Sequence, residues 1–211
     1  MRKRYSIIIV VILLMITIAV LEIFMGNEEA KEELPVKEIV QYYQEEYNSK
    51  VSINLLGINY NKKNAKLINK EIENIFLKEI EEIENEGKDY QGSFTIQSDY
   101  TLNNALLSIK IYKQDSHEEN TSGEIYSVIY DIKNDRELKL TGIVEETKLD
   151  YNEILQKIED KVNERDDVVD YSYPYVYLNE KGNLEVILKS VIQVSRYEFW
   201  KNIQEVEIEL K

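Results

Sequence analysis

Residues 93–112, with the sequence SFTIQSDYTLNNALLSIKIY, decide the fold because their side chains alternate between apolar and polar. Alternation with a period of two predicts strands that bury one face. Asn103-Asn104 divides the segment and predicts a two-residue hairpin turn into a second strand at residues 105–112. The apolar positions of the first strand are Phe94, Ile96, Tyr100 and Leu102.

The same pattern continues towards the C-terminus. A polar insertion at residues 113–123 (KQDSHEENTSG) precedes a third predicted strand at residues 124–132. Asn134-Asp135 then predicts another turn into a strand at residues 136–140. Together these segments predict an antiparallel meander.

Two stretches have helical periodicity instead. Residues 65–83 place apolar side chains every three or four positions, with lysine and glutamate between them, and Gly87 marks a stop. Asp150 has the form of a helix N-cap with Glu153 at the reciprocal position. The first stripe consists of Ala65, Ile68, Ile72, Ile75, Phe76, Ile80 and Ile83, and the second of Tyr151, Ile154, Leu155, Ile158 and Val162.

Further strands are predicted on both sides of these elements. Residues 50–57 alternate well, whereas residues 36–48 are compatible with either a helix or a strand. Near the C-terminus, residues 173–178 and 184–194 flank a turn in which Gly182 supplies a positive φ. A half-buried strand closes the chain at Val206, Ile208 and Leu210. We therefore expect an α+β fold with an antiparallel sheet covered by two helices.

A transmembrane helix is expected ahead of this domain. Residues 6–25 (SIIIVVILLMITIAVLEIFM) are almost entirely apolar, and Ile7–Met25 as a helix is about 28 Å long, close to one hydrocarbon core. Basic residues precede this segment and four glutamates follow it within residues 27–33, which predicts a cytoplasmic N-terminus. We expect residues 1–5 in the cytoplasm, 6–25 as a signal anchor, 26–35 as a stalk and 36–211 as an extracytoplasmic domain.

A cleaved signal peptide shows the same basic and apolar pattern. Against cleavage, the residues after the apolar core, Glu22-Ile23-Phe24-Met25-Gly26, are bulky and contain no small-x-small site. The chain has no cysteine, which excludes a lipoprotein, disulfides, thiolate catalysis and cysteine zinc sites.

The expected exterior part is strongly acidic. Of 26 basic and 40 acidic residues, three basic ones and Glu22 belong to the anchor region, which leaves 23 and 39, a net charge of −16. This charge argues against nucleic acid and anionic lipid as main partners. It favours a cationic partner, or serves solubility alone.

Residues for catalysis or for a cofactor are scarce. His117 is the only histidine, which excludes histidine-rich zinc sites and makes a Ser-His-Asp triad improbable. The seven glycines form no phosphate-binding motif. Acidic runs fit solvated surfaces better than a glycosidase pair. We expect no catalytic residue, no metal site and no cofactor.

The candidate binding surface is a row of tyrosines. Tyr171, Tyr173, Tyr175 and Tyr177 alternate along a strand that Pro174 confines to an edge or to its beginning. Aromatic rings in a flat row would stack against a sugar chain or a protein partner. Packing against a helix explains the same row without a ligand. The second candidate is residues 191–200, with Tyr197, Phe199 and Trp200.

Several short motifs resemble one extracytoplasmic module across residues 36–211. These motifs are Val51–Gly57 followed by a helix with Ile68-Asn69, Leu107-Ser108-Ile109, Glu137-Leu138-Lys139-Leu140 before a helix opened by Tyr151, and residues 177–184, YLNEKGNL. They are similar to the accessory domain of peptidoglycan deacetylases and of lysozyme-sensing anti-sigma factors (PdaC/RsiV-like, a domain of unknown function). The family's Gly-Gly-Ala-His run is replaced here by residues 113–123.

The resemblance implies a non-catalytic module at the cell wall. Its ligand would be a cell-wall glycan or a basic protein such as lysozyme, with the N-terminal anchor in the cell membrane. Residues 1–5 are too short to hold a sigma factor in the cytoplasm. The alternative is a peptidoglycan-acting enzyme, or an accessory domain of one, that uses the tyrosine row as a substrate platform.

Overall fold

The computed structural model describes residues 34–46, 49–86, 90–117, 120–147, 149–195 and 198–208, and these form nine strands and three helices. The strands are β1 (Val36–Glu46), β2 (Ser49–Ile58), β3 (Gly92–Asn103), β4 (Leu106–His117), β5 (Asn120–Asp131), β6 (Arg136–Leu138), β7 (Val168–Leu178), β8 (Leu184–Ser195) and β9 (Glu198–Ile208). The helices are α1 (Lys63–Glu86), α2 (Leu140–Thr147) and α3 (Tyr151–Asn163).

The expected transmembrane segment at residues 6–25 lies outside the described residues, as do residues 1–5 and most of the expected stalk. Among the helices that are described, none combines the length and the apolar character that a membrane crossing requires. Pro35–Lys211 forms a compact unit by itself.

Six strands form the larger sheet, in the order β1-β2-β3-β4-β5-β6. Its pairs are antiparallel except β2–β3, which is parallel. The exception follows from α1, because a crossover helix between two strands returns the chain to the same end of the sheet. The predicted meander is confirmed in β3 to β6.

The first hydrophobic core lies between α1 and one face of this sheet. Most of the helical stripe predicted from the sequence is the buried face of α1, but Ile75, which the prediction included, is exposed. Alternate residues of β2, β3, β4 and β5 meet this stripe, which is how strands with period two cover a helix with period 3.6. The helix contributes Ala65, Ile68, Ile72, Phe76 and Ile80 to this core.

Asn69 joins α1 to the end of β2. Its side-chain Oδ1 accepts a hydrogen bond from the Ile58 amide at 2.7 Å, and its Nδ2 donates to the Ile58 carbonyl at 2.9 Å. Both polar groups of Ile58 are thereby satisfied in a buried place. Gly57 leaves room for this contact, since a Cβ there would lie 2.8 Å from the Asn69 Oδ1.

The β5–β6 turn supplies a carboxylate to the N-terminus of α1. The first turn of the helix contains no acidic residue, but the Asp135 Oδ2 accepts a hydrogen bond from the Asn64 amide at 3.3 Å. Burial acts to raise the pKa of Asp135, but the Tyr130 hydroxyl and the amides of Asn64 and Ala65 outweigh it and hold that pKa below its usual value. The negative charge of the Asp135 carboxylate is also stabilised by the positive end of the α1 helix dipole.

The smaller sheet is antiparallel, with strand order β7-β8-β9. One face of it packs against α2 and α3 to form a second core, which includes Ile143, Ile154 and Ile158. Asp150 caps α3 as predicted, because its side chain accepts a hydrogen bond from the Asn152 amide at 2.8 Å. Gly182 has a φ of +79° in the β7–β8 turn, also as predicted.

Three hydroxyl groups of the larger sheet form hydrogen bonds with backbone groups of β7, along the edge of that strand which faces away from β8. Ser127 Oγ donates to the Val176 carbonyl at 2.8 Å, and Ser108 Oγ accepts from the Leu178 amide at 3.1 Å. Thr101 Oγ1 donates to the Leu178 carbonyl. We call these three side chains the hydroxyl seam. It covers strand β7 on the side that β8 leaves unpaired.

The predicted fold needs several corrections. The class is α+β and mostly antiparallel as expected, but there are two sheets instead of one, one strand pair is parallel, and α2 is a third helix. Residues 36–46 form a strand. The polar insertion at 113–123 contains the outer ends of β4 and β5, which pair up to His117↔Asn120. The first hairpin turn lies one residue later, at Asn104-Ala105, and Asn104 has a φ of +56°.

Replacing Asn69 by leucine should destabilise the domain by about 2–4 kcal/mol, because the buried amide and carbonyl of Ile58 would both lose their partner. The measurement is urea unfolding of a fragment that begins at residue 34. Asn74→Leu is the matched control, since Asn74 lies on the exposed face of the same helix. Equal stability of the two variants would contradict the role given to Asn69.

Candidate functional site

The tyrosine row does not form a flat exposed surface. Tyr171 is 40% exposed, whereas Tyr177 is only 4% exposed, and Tyr173 and Tyr175 are half-buried. The register of β7 against β8 shifts between Ser172 and Tyr175, so the row is interrupted in its middle. The four rings consequently meet different surroundings.

The side chains of Tyr173 and Tyr175 pack against neighbouring side chains of the domain. A hydrogen bond with Tyr151 of α3, together with burial, raises the pKa of Tyr173. Tyr175 meets Tyr126 edge-on, with ring centroids 5.1 Å apart, and the Lys189 Nζ lies 5.0 Å from its ring centre. These contacts correspond to the packing alternative rather than to a stacking platform.

The second candidate patch is only partly described. Tyr197 lies outside the described residues. Phe199 and Trp200 belong to β9, opposite Gln193 and Ile192 of β8, and the structure describes their backbone only. A binding role for these three residues therefore stays a prediction.

A small cavity of about 180 Å³ lies beside the irregular part of β7. Tyr151, Tyr173 and Pro174 line it together with Lys139 and Leu140. Its volume is below the roughly 300–1,000 Å³ that is usual for small-molecule sites. This cavity is a less suitable ligand site than the groove described next.

A larger groove of about 540 Å³ opens where β2 and β3 part. Their parallel pairing runs from Ser49↔Gly92 to Asn54↔Gln97 and ends there. Beyond that point the Leu56 amide donates to Ser98 Oγ at 3.1 Å instead of to the backbone. The groove is lined by Asn54, Leu56, Ser98, Asp99, Tyr100, Thr101, Lys110, Tyr112, Tyr177, Asn179 and Glu180.

Lys110 forms the floor of this groove and is only 6% exposed. Its Nζ lies 2.8 Å from the Glu185 Oε2. The same Nζ is 5.2 Å from the ring centre of Tyr112 and 4.7 Å from that of Tyr177, distances at which a cation is attracted to an aromatic face. The ion pair and the two rings fix the floor of the groove from both sheets.

The two sheets contribute different parts of the site. Tyr177, Asn179 and Glu180 come from the end of β7 and the turn after it, and the remaining lining residues come from the larger sheet. Asn179 orders that turn, since its Oδ1 accepts from the amides of Lys181 and Asn183 at 3.0 Å. Burial raises the pKa of Tyr177, which keeps its phenol neutral.

Two carboxylates at the groove have no counter-ion. Asp99 and Glu180 are exposed, and within the described ranges neither side chain makes an ion pair or a hydrogen bond. Asp99 lies directly opposite Lys110 in the β3–β4 register, which places it on the same face of the sheet as Lys110. A ligand in the groove would therefore meet negative charge.

Metal-binding side chains are not clustered in the part of the chain that the structure describes. No three histidine, cysteine, aspartate or glutamate side chains are placed there to hold a metal ion. His117 ends β4, and its side chain is not described. The groove combines aromatic rings, one exposed amide at Asn54 and the two carboxylates of Asp99 and Glu180.

Of the residues that line the groove, Tyr177 was among the binding candidates predicted from the sequence. Lys110 is the sequence signal for the groove, because it stands between Ile109 and Ile111, which are both buried. A lysine in such a place is rarely buried without a partner. The partner, Glu185, is 75 residues further along the chain.

No protein-family model matches the chain, and no curated protein matches it. Among solved structures, it is similar to a DUF3298 family protein from Pseudomonas aeruginosa PAO1, with 14% sequence identity and a TM-score of 0.49. That match covers 84% of this chain and 91% of the other. At these values the similarity does not assign the chain to the family.

Replacing Lys110 by methionine should destabilise the domain by about 3 kcal/mol, because Glu185 would remain half-enclosed without its counter-charge. The double variant Lys110→Met/Glu185→Leu should recover most of that loss, since it removes both charges. Urea unfolding of the fragment from residue 34 measures both values. If the double variant is no more stable than the single one, the ion pair is not what holds the groove floor.

Proposed function

We propose that the chain is a membrane-anchored, extracytoplasmic binding module of the cell wall, without chemistry of its own, and that a cell-wall glycan is its ligand. The groove between the two sheets is the proposed binding site. The observation that carries this proposal is its lining, in which aromatic rings and exposed polar side chains meet in a space of ligand size.

The chemistry of the groove suits a saccharide. A sugar ring has an apolar face that stacks on aromatic rings, and the rings of Tyr100 and Tyr112 are exposed and half-buried in the groove lining, whereas Tyr177 is buried behind them. Its hydroxyl groups need hydrogen-bond partners, for which the Asn54 amide and the carboxylates of Asp99 and Glu180 are exposed. Ser98 Oγ, which also lines the groove, accepts a hydrogen bond from the Leu56 amide.

The proposed cellular location is based on the N-terminal sequence. Residues 6–25 would anchor the chain in the cell membrane as a single span, with residues 1–5 in the cytoplasm. The short segment at 26–35 would then hold the folded domain close to the outer membrane surface. The domain would then lie outside the membrane, where the wall polymer is. The resemblance to the PdaC/RsiV-like accessory domain supports the same location.

A basic protein such as lysozyme is the second ligand to consider, because the whole chain has a net charge of −14. Long-range attraction would speed its encounter with the domain. The groove itself favours the glycan, since net charge attracts any cation without providing a shaped site.

Glycan binding can be measured with purified peptidoglycan and the full-length chain in a detergent without a sugar headgroup. The unaltered chain should sediment with the wall material, and Tyr112→Ala should weaken binding about tenfold, since a stacked ring contributes roughly 1 kcal/mol or more. Tyr171→Ala is the matched control, because Tyr171 is an exposed tyrosine that does not line the groove.

Three results would contradict the proposal. Loss of binding in Tyr171→Ala but not in Tyr112→Ala would favour the tyrosine row over the groove. Salt-sensitive retention on immobilised lysozyme, without any binding to peptidoglycan, would make the basic protein the ligand. Release of sugar or acetate from the wall material would favour the enzyme alternative.

The proposed topology has its own test. Protease added to intact cells should remove the domain that follows residue 26, because that domain would lie outside the membrane. A cytoplasmic protein serves as the internal control for cell integrity. Protection of the domain until the cells are lysed would show that the proposed location is wrong.

A further inference from the structure

We infer that the groove selects a saccharide with free amino groups, that is, an oligomer of unacetylated hexosamine. The inference rests on the proposed function, because it names the ligand class of the same groove. Charge balance, ring placement and the type of polar groups in the groove lead to it independently of one another.

The charge balance of the groove is negative. Asp99, Glu180 and Glu185 supply three carboxylates, and Lys110 supplies one ammonium group, which leaves two negative charges. The ion pair with Glu185 already neutralises Lys110. The carboxylates of Asp99 and Glu180 are exposed and have no counter-ion among the described residues. A ligand that brings ammonium groups would supply the missing positive charge.

The aromatic rings add to this preference. The faces of Tyr112 and Tyr177 carry partial negative charge, and the Lys110 Nζ lies 5.2 and 4.7 Å from their ring centres. Those faces are turned to Lys110, and Tyr177 is only 4% exposed, so Tyr112 and Tyr100 are the groove rings that a ligand can reach. An anionic sugar would meet repulsion from both the rings and the carboxylates.

The polar groups distinguish an amino sugar from a lysine side chain. A lysine would satisfy Asp99 or Glu180, but it has no hydroxyl groups for the Asn54 amide and Ser98 Oγ. Unpaired polar groups in a binding site reduce affinity. A neutral N-acetylated sugar would donate hydroxyl hydrogens to both carboxylates but would bring no positive charge to balance them. An amino sugar supplies the hydroxyl groups and the counter-charge together.

The test compares two tetramers that differ only in acetylation, β-1,4-linked glucosamine and β-1,4-linked N-acetylglucosamine. Binding is measured by calorimetry with the full-length chain in a detergent without a sugar headgroup. A mildly acidic buffer protonates the amines of the glucosamine tetramer. The glucosamine tetramer should bind at least tenfold more tightly.

Matched variants locate the preference. Asp99→Asn and Glu180→Gln keep the shape of each side chain and remove its charge, and each should cut the preference for the glucosamine tetramer at least threefold. Glu159→Gln removes the same charge from the exposed face of α3 and should leave the preference unchanged. Equal effects of all three variants would mean that overall charge, not the groove, attracts the amines, and would overturn the inference.

The remaining outcomes separate the inference from the proposed function. Equal or tighter binding of the N-acetylated tetramer, lost in Tyr112→Ala, would overturn the inference and leave the glycan-binding function standing. Binding of neither tetramer, together with no binding to peptidoglycan, would overturn both. Binding of a lysine peptide in place of the glucosamine tetramer, with the same dependence on Asp99, would also overturn the inference.

Discussion

The unpaired backbone edge of β7 is the constraint on which the structure depends. A strand that pairs on one side only exposes amide and carbonyl groups, and these groups are costly to bury without partners. Here the hydroxyl seam meets that need, because Ser108, Ser127 and Thr101 bond to the backbone of Val176 and Leu178. Three small polar residues on the face of the larger sheet thus decide where the smaller sheet docks.

The position of the smaller sheet then determines the groove. Tyr177 lies between the two seam-bonded residues of β7, and its ring is held over Lys110 on the larger sheet. The Lys110–Glu185 ion pair is a second link between the sheets, since each sheet supplies one partner. The end of β2 is fixed independently, by Asn69. The groove is therefore a consequence of how the two sheets meet.

Local patterns sufficed to predict the elements that bury one face. The stripe from Ala65 to Ile83 and the alternation from Phe94 to Leu102 have a clear period, and both elements are present. The ends of β4 and β5 are polar on both faces, so they lack the signal that identifies a strand. Helix α2 is only eight residues long, and its first residue, Leu140, continues the alternating pattern that predicts a strand at residues 136–140. The parallel pairing and the second sheet depend on contacts between distant segments.

The groove could not be predicted for the same reason, because its lining comes from four segments around Asn54, Asp99, Lys110 and Tyr177. Amide chemical-shift mapping with the glucosamine tetramer tests most directly whether the groove is the ligand site. The account predicts the largest shifts at Asn54, at residues 98–101 and at residues 177–180. Shifts confined to Tyr171 and Tyr173, or spread along the acidic face of α1 while the groove amides stay unchanged, would contradict it.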